Sequence, residues 1–108
     1  MIDADLLRAA LADTRAQMDA AARRAGRDPG DVQLVLTGKY VPAEDAPVLV
    51  RAGAPIIGEN RLQDLEEKRR DFLAAGRIAR WHFVGHLQRN KARRVVRVAH
   101  AIHSVDSL

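Results

Sequence analysis

Apolar positions in the first part of the chain recur every three or four residues. Leu7, Leu11, Met18, Ala21 and Ala25, with Thr14 between them, fall on one stripe, the spacing of an amphipathic helix. Asp3 stands where an N-cap belongs and Gly26 where the helix should end. Asp28-Pro29-Gly30 then marks a turn. Val32-Gln33-Leu34-Val35-Leu36-Thr37 is too apolar to alternate cleanly, as expected of a strand covered on both faces. A helix should follow Pro42 and end near Gly53. Pro47 costs little only in a first turn, so this helix is expected to start late, near Glu44.

The alternation continues to the end of the chain. Pro55-Ile56-Ile57-Gly58 reads as a second short strand, and positions 59–75 as a long polar helix with Leu62, Leu65 and Phe72 inward. Positions 80–84 form a third strand, 88–98 a further helix and 99–103 a fourth strand. This order predicts an α/β fold with a parallel sheet and right-handed crossovers. A complete (β/α)8 TIM barrel needs roughly 200 residues or more. The 108 residues are therefore read as one domain, a parallel half-barrel behind a leading helix. Its inner face is expected to be apolar, with Val35, Ile57, Phe83 and Ile102, and its sheet edge unpaired. Self-association, or pairing with a missing half-barrel, is expected to cover them.

Composition narrows the class. Hydrophobic residues make up 47% of the chain, enough for a packed core and against general disorder. Cysteine is absent, which excludes disulfides and thiolate metal sites. The acidic start Met1-Ile2-Asp3-Ala4-Asp5 lacks the order of a signal peptide. No apolar run approaches the ~20 residues of a membrane span. The default expectation is a soluble, cytoplasmic protein. Lys and Arg exceed Asp and Glu by 18 to 14, a net +4; this excess favours anionic ligands without establishing nucleic-acid binding.

The candidate chemistry recurs at one structural point. Lys39 follows the first strand, Glu59 and Asn60 the second, His86 the third, and Ser104 and Asp106 the fourth. In a parallel barrel, groups after the strands' carboxyl ends converge on one site. A lysine among neutral polar groups there suits a Schiff base with an aldehyde cofactor. Each residue also has a structural reading. Asn60 is a good helix cap, Glu59 suits a helix N-terminus, and His82 within the third strand is expected to be a satisfied structural histidine. His82, His86, His100 and His103 do not form a metal site, because a strand followed by a turn spoils their spacing.

Four motifs carry a resemblance. Thr37-Gly38-Lys39-Tyr40-Val41-Pro42, Gly58-Glu59-Asn60-Arg61-Leu62-Gln63, the run Trp81-His82-Phe83-Val84-Gly85-His86-Leu87-Gln88-Arg89-Asn90-Lys91, and Ile102-His103-Ser104-Val105-Asp106 resemble the N-terminal half of the pyridoxal phosphate homeostasis (YggS-like) family. That family is related to the N-terminal barrel of alanine racemase. The resemblance covers nearly the whole chain. It implies pyridoxal 5'-phosphate as cofactor, held as a Schiff base on Lys39, with Asn60 near the ring; His86 and Ser104, by their place after the third and fourth strands, are the further candidates for lining the site. It implies a carrier or regulator of free cofactor, not a robust catalyst; no catalytic residue and no metal ligand is expected. Gly38 and Val41 stand where the family usually has Ser or Thr and a second Lys. The family's phosphate-holding Ser and Gly groups lie in its C-terminal half, beyond these motifs.

Two other classes stay open. A racemase-type enzyme would need a second base, and Tyr40, the sole tyrosine, lies beside Lys39 rather than opposite it. An RNA- or protein-interaction domain would use the basic run Arg89, Lys91, Arg93, Arg94 and Arg97. That run otherwise reads as a solvated helix face, and no stacking ring lies within it.

Overall fold

The computed structural model of the chain describes residues 3–38, 41–42, 44–53 and 56–104. Lys39, Tyr40, Pro55 and Asp106 lie outside the described residues. Helix α1, Ala4–Arg24, begins as its sequence requires: the Asp3 carboxylate accepts from the backbone N–H of Asp5 and Leu6. It ends through Gly26, whose φ of +73° lets the chain turn back. The N–H groups of Gly26 and Arg27 then donate to the carbonyls of Arg23 and Ala22.

Four strands follow, β1 Leu36–Thr37, β2 Ile56–Glu59, β3 Arg80–Phe83 and β4 Ala101–Ile102. All pair in parallel in the order β1-β2-β3-β4. Helices α2 Ala46–Arg51, α3 Leu62–Ala74 and α4 Ala92–Val98 connect them, α4 preceded by a 3-10 turn at Arg89–Lys91. The expected alternation is present, with shorter elements. β1 and β4 each pair on one side only among the described residues, and each is two residues long. α2 starts at Ala46, with Pro47 in its first turn, where a missing N–H costs nothing. α3 starts three residues later than expected, because Glu59 completes β2.

Ile57, Trp81 and Phe83 share one sheet face and pack with Leu49, Leu62, Leu65, Phe72 and Val95 of the helices. Each such side chain contributes about 1.5–3 kcal/mol by leaving water. Phe72 meets Trp81 edge-on, with ring centroids 5.1 Å apart. This corrects the expected inner face. Ile57 and Phe83 are buried against the helices, and Ile102 packs on the same core. Only Val35 of the four lies on the opposite side, where it and Val84 flank Gly58. Strand alternation is the reason: positions 57, 59, 81 and 83 share one parity and face the helices, while 58, 82 and 84 face away. The stretch 32–37 is not covered on both faces either, since Gln33 and Thr37 are exposed. A thickness of 22 Å across extents of 42 × 38 Å matches one sheet layer and one helix layer, each about 10 Å deep.

Candidate functional site

The carboxyl ends of the strands are laced together beyond the ladders. Gly38 N–H donates to the Gly58 carbonyl at 2.9 Å, Val84 N–H to Glu59 at 2.9 Å and His103 N–H to Phe83 at 2.9 Å. Gly85 presses its Cα against Asn60 so closely that an added Cβ would overlap the Asn60 carbonyl. Ser104 Oγ donates to the Gly85 carbonyl. The segments after β2, β3 and β4 thus hold one another at this end of the sheet.

A cavity of about 220 Å³ opens there. Asn60, His86, Phe83, Gln63, Gln88 and Lys91 are among the residues that line it. Two predicted site residues, Asn60 and His86, therefore share a pocket. Ser104 does not line it and acts on the neighbouring Gly85. Lys39, the predicted amine, lies outside the described residues. A larger cavity of about 410 Å³ between Leu11 of α1 and Ile56 at the start of β2 contains no predicted site residue.

Asn60 is not a helix cap, because Arg61 occupies that position. Its Oδ1 is buried without a hydrogen-bond partner. Such an atom costs about 1–3 kcal/mol until a donor reaches it. Asn60 also brings a neutral amide to the lining, a group that can donate to or accept from ring substituents.

Glu59 departs most from its sequence reading. It ends β2 facing the helices, fully buried. Its Oε1 is 2.6 Å from Nζ of Lys68 on α3, itself only 4% exposed. Lys68 also donates to the Gly38 carbonyl at 2.7 Å. Burial pushes the Glu59 carboxyl above its ordinary 4.5; the Lys68 bond and charge draw it back only part of the way, and Asp64 adds to the rise. Sequence reasoning missed Lys68. The signal was present, since position 68 lies on the Leu62, Leu65, Phe72 stripe where an apolar residue is expected.

His82 faces away from the helices and is 5% exposed. Its Nδ1 lies 2.9 Å from His103 Nε2, while its own Nε2 is buried without a partner. It is thus half satisfied, not fully as expected. Burial, then the charges of His103, Arg80 and His100, hold it below 6.5. Members of the basic run also part company. Lys91 lines the pocket, Arg94 pairs with Glu66 of α3, and Arg89, Arg93 and Arg97 are exposed.

No family model matches the chain. Among curated proteins, a pyridoxal phosphate homeostasis protein of Mycobacterium leprae is 39% identical over 106 residues, covering 92% of this chain and 41% of the relative. That of Mycobacterium tuberculosis is 42% identical over 106 residues, 91% of this chain and 41% of the relative. That of Escherichia coli is 37% identical over 99 residues, 91% of this chain and 42% of the relative. The chain spans about two-fifths of the length of these relatives. Among solved structures, PipY of Synechococcus elongatus with pyridoxal phosphate bound is similar at a TM-score of 0.66 and 38% identity, over 86% of this chain and 42% of PipY. A Bifidobacterium adolescentis protein described as unknown aligns with a TM-score of 0.78 and 30% identity, over 99% of this chain and 48% of its own.

Proposed function

We propose, from the premise that the chain is homologous to about two-fifths of the pyridoxal phosphate homeostasis proteins, that it binds pyridoxal 5'-phosphate in the Asn60–His86 pocket. The observation that carries this reading is that Asn60 and His86, which follow the carboxyl ends of two adjacent parallel strands, line one cavity there. When bound, the cofactor supplies an aldehyde that condenses with a lysine amine, and Lys39 is the amine proposed. Asn60 meets a ring substituent, His86 and Phe83 wall the cavity, and Ser104 steadies the His86 loop through Gly85. Arg61 and Lys91, the two cations in the lining, are proposed for the phosphate.

The proposed role is a carrier in intracellular cofactor homeostasis rather than catalysis. The relatives' names point to homeostasis and not to a reaction. The four-stranded parallel sheet is proposed as the N-terminal part of a TIM-type barrel. The face turned away from the described helices, with Val35, Thr37 and Val84, is proposed to meet either the remaining barrel or a second copy. The cytoplasm is the proposed location; no helix among the described residues is long and apolar enough to cross a membrane.

An absorbance titration with pyridoxal phosphate tests the reading. Saturable growth of a long-wavelength imine band, lost on acid denaturation, is expected. A spectrum that stays the sum of protein and free cofactor would contradict it.

A further inference from the structure

We propose that Lys68 is a positioning residue for this site: clamped by Glu59, its ammonium fixes the Gly38 carbonyl and so the backbone from which Lys39 departs. The inference rests on the reading of Lys39 as the cofactor amine.

Gly38 is held from both sides. Its N–H donates to Gly58 at 2.9 Å, and its carbonyl accepts from Val41 N–H at 3.0 Å and Lys68 Nζ at 2.7 Å. Lys39 is the next residue in the chain, so the carbonyl that Lys68 holds belongs to the peptide unit joining the two. The clamp depends on glycine. A Cβ at position 38 would stand 2.7 Å from Glu59 Oε1 and 3.4 Å from Lys68 Nζ. With no side chain there, the ion pair fits beside Gly38 and Lys68 Nζ reaches its carbonyl.

Stability alone is a poor account of this arrangement. Two buried charges cost more than a packed apolar pair of similar size unless every polar atom is satisfied. Here Glu59 Oε2 is buried without a partner. The ion pair is therefore an incomplete stabiliser, and its distinctive contact is the one to Gly38. A small displacement of a reacting group slows its reaction by an order of magnitude or more. The consequence should appear in reaction at Lys39 and not in the pocket's hold on the ring.

Two ligands separate these effects. Pyridoxal phosphate reports reaction with the amine. Pyridoxine 5'-phosphate has an alcohol in place of the aldehyde and reports non-covalent binding only. In Lys68→Met, and in the double variant Glu59→Met with Lys68→Met that leaves no buried charge, adduct formation should slow about tenfold to a hundredfold. Affinity for pyridoxine 5'-phosphate should stay within about twofold. Adduct formation at the parent rate in the folded double variant would overturn the inference. Equal losses for both ligands would also overturn it, since they mark a general structural role. Lys39→Ala run alongside should abolish the adduct; full adduct in that variant would overturn the site reading itself.

Discussion

Glu59 and Lys68 form an ion pair at 2.6 Å with 0% and 4% of their side chains exposed, joining the end of β2 to the middle of α3. Removing one partner strands the other charge. Glu59→Gln and Lys68→Met are each expected to cost about 3–5 kcal/mol in urea unfolding at neutral pH, and the double apolar replacement much less. The pH dependence follows from the raised Glu59 carboxyl. A raised acid stabilises the fold below its unfolded value near 4.5, and that contribution is lost as pH rises through the folded value. Without Lys68 the carboxyl moves higher, so Lys68→Met should lose stability with rising pH over a wider range than the parent. Equal pH slopes for the two proteins would contradict the pairing.

Gly85 has no room for a side chain against the Asn60 carbonyl. Gly85→Ala should destabilise by about 3 kcal/mol or more and disturb the pocket, because both segments border it. Chemical denaturation with a cofactor titration checks this. An alanine variant of parental stability and affinity would show that the two segments do not meet as described.

His82 should make the fold acid-sensitive. Its folded value lies below 6.5, so the unfolded chain binds the proton more readily. Stability is then complete above 6.5 and falls as pH drops through the folded value. His82→Phe should flatten the fall in thermal midpoint between pH 8 and pH 5. An unchanged slope would assign acid sensitivity to other groups.

Much of this was legible in the sequence. The period of α1, the cap at Asp3 and the strand-helix alternation gave the elements and their order. That Asn60 and His86 lie at one end of the sheet was legible because both follow a strand's carboxyl end. What was not legible depended on register and reach. The side of the sheet taken by Ile57 and Phe83 follows from strand parity, which uniformly apolar runs conceal. Glu59 reads as helical in sequence because a polar residue after Gly58 resembles a helix start, whereas it ends β2; its partner lies nine positions on, across an element boundary. Lys68 was visible only as a charge on an apolar stripe, a signal whose meaning requires the acidic partner.

Asn60 should show opposed effects on stability and binding. Its unpartnered Oδ1 burdens the ligand-free fold, so Asn60→Leu should match or exceed the parent in thermal stability. The same change should weaken pyridoxal phosphate binding about tenfold, or ~1.4 kcal/mol. Calorimetry of unfolding and of ligand binding tests both. A large stability loss with unchanged affinity would make Asn60 a structural residue only.

Identification of the cofactor lysine tests the central claim most directly. The chain has three lysines, Lys39, Lys68 and Lys91. Lys68 is buried and ion-paired, whereas Lys91 lines the same pocket as Asn60 and His86 and is the real competitor. Borohydride reduction in the presence of pyridoxal phosphate, then tryptic mapping by mass spectrometry, distinguishes them. The account predicts the pyridoxyl group on Lys39, in an uncleaved peptide spanning residues 28–51. Predominant label on Lys91, in the peptide spanning residues 90–93, would contradict it.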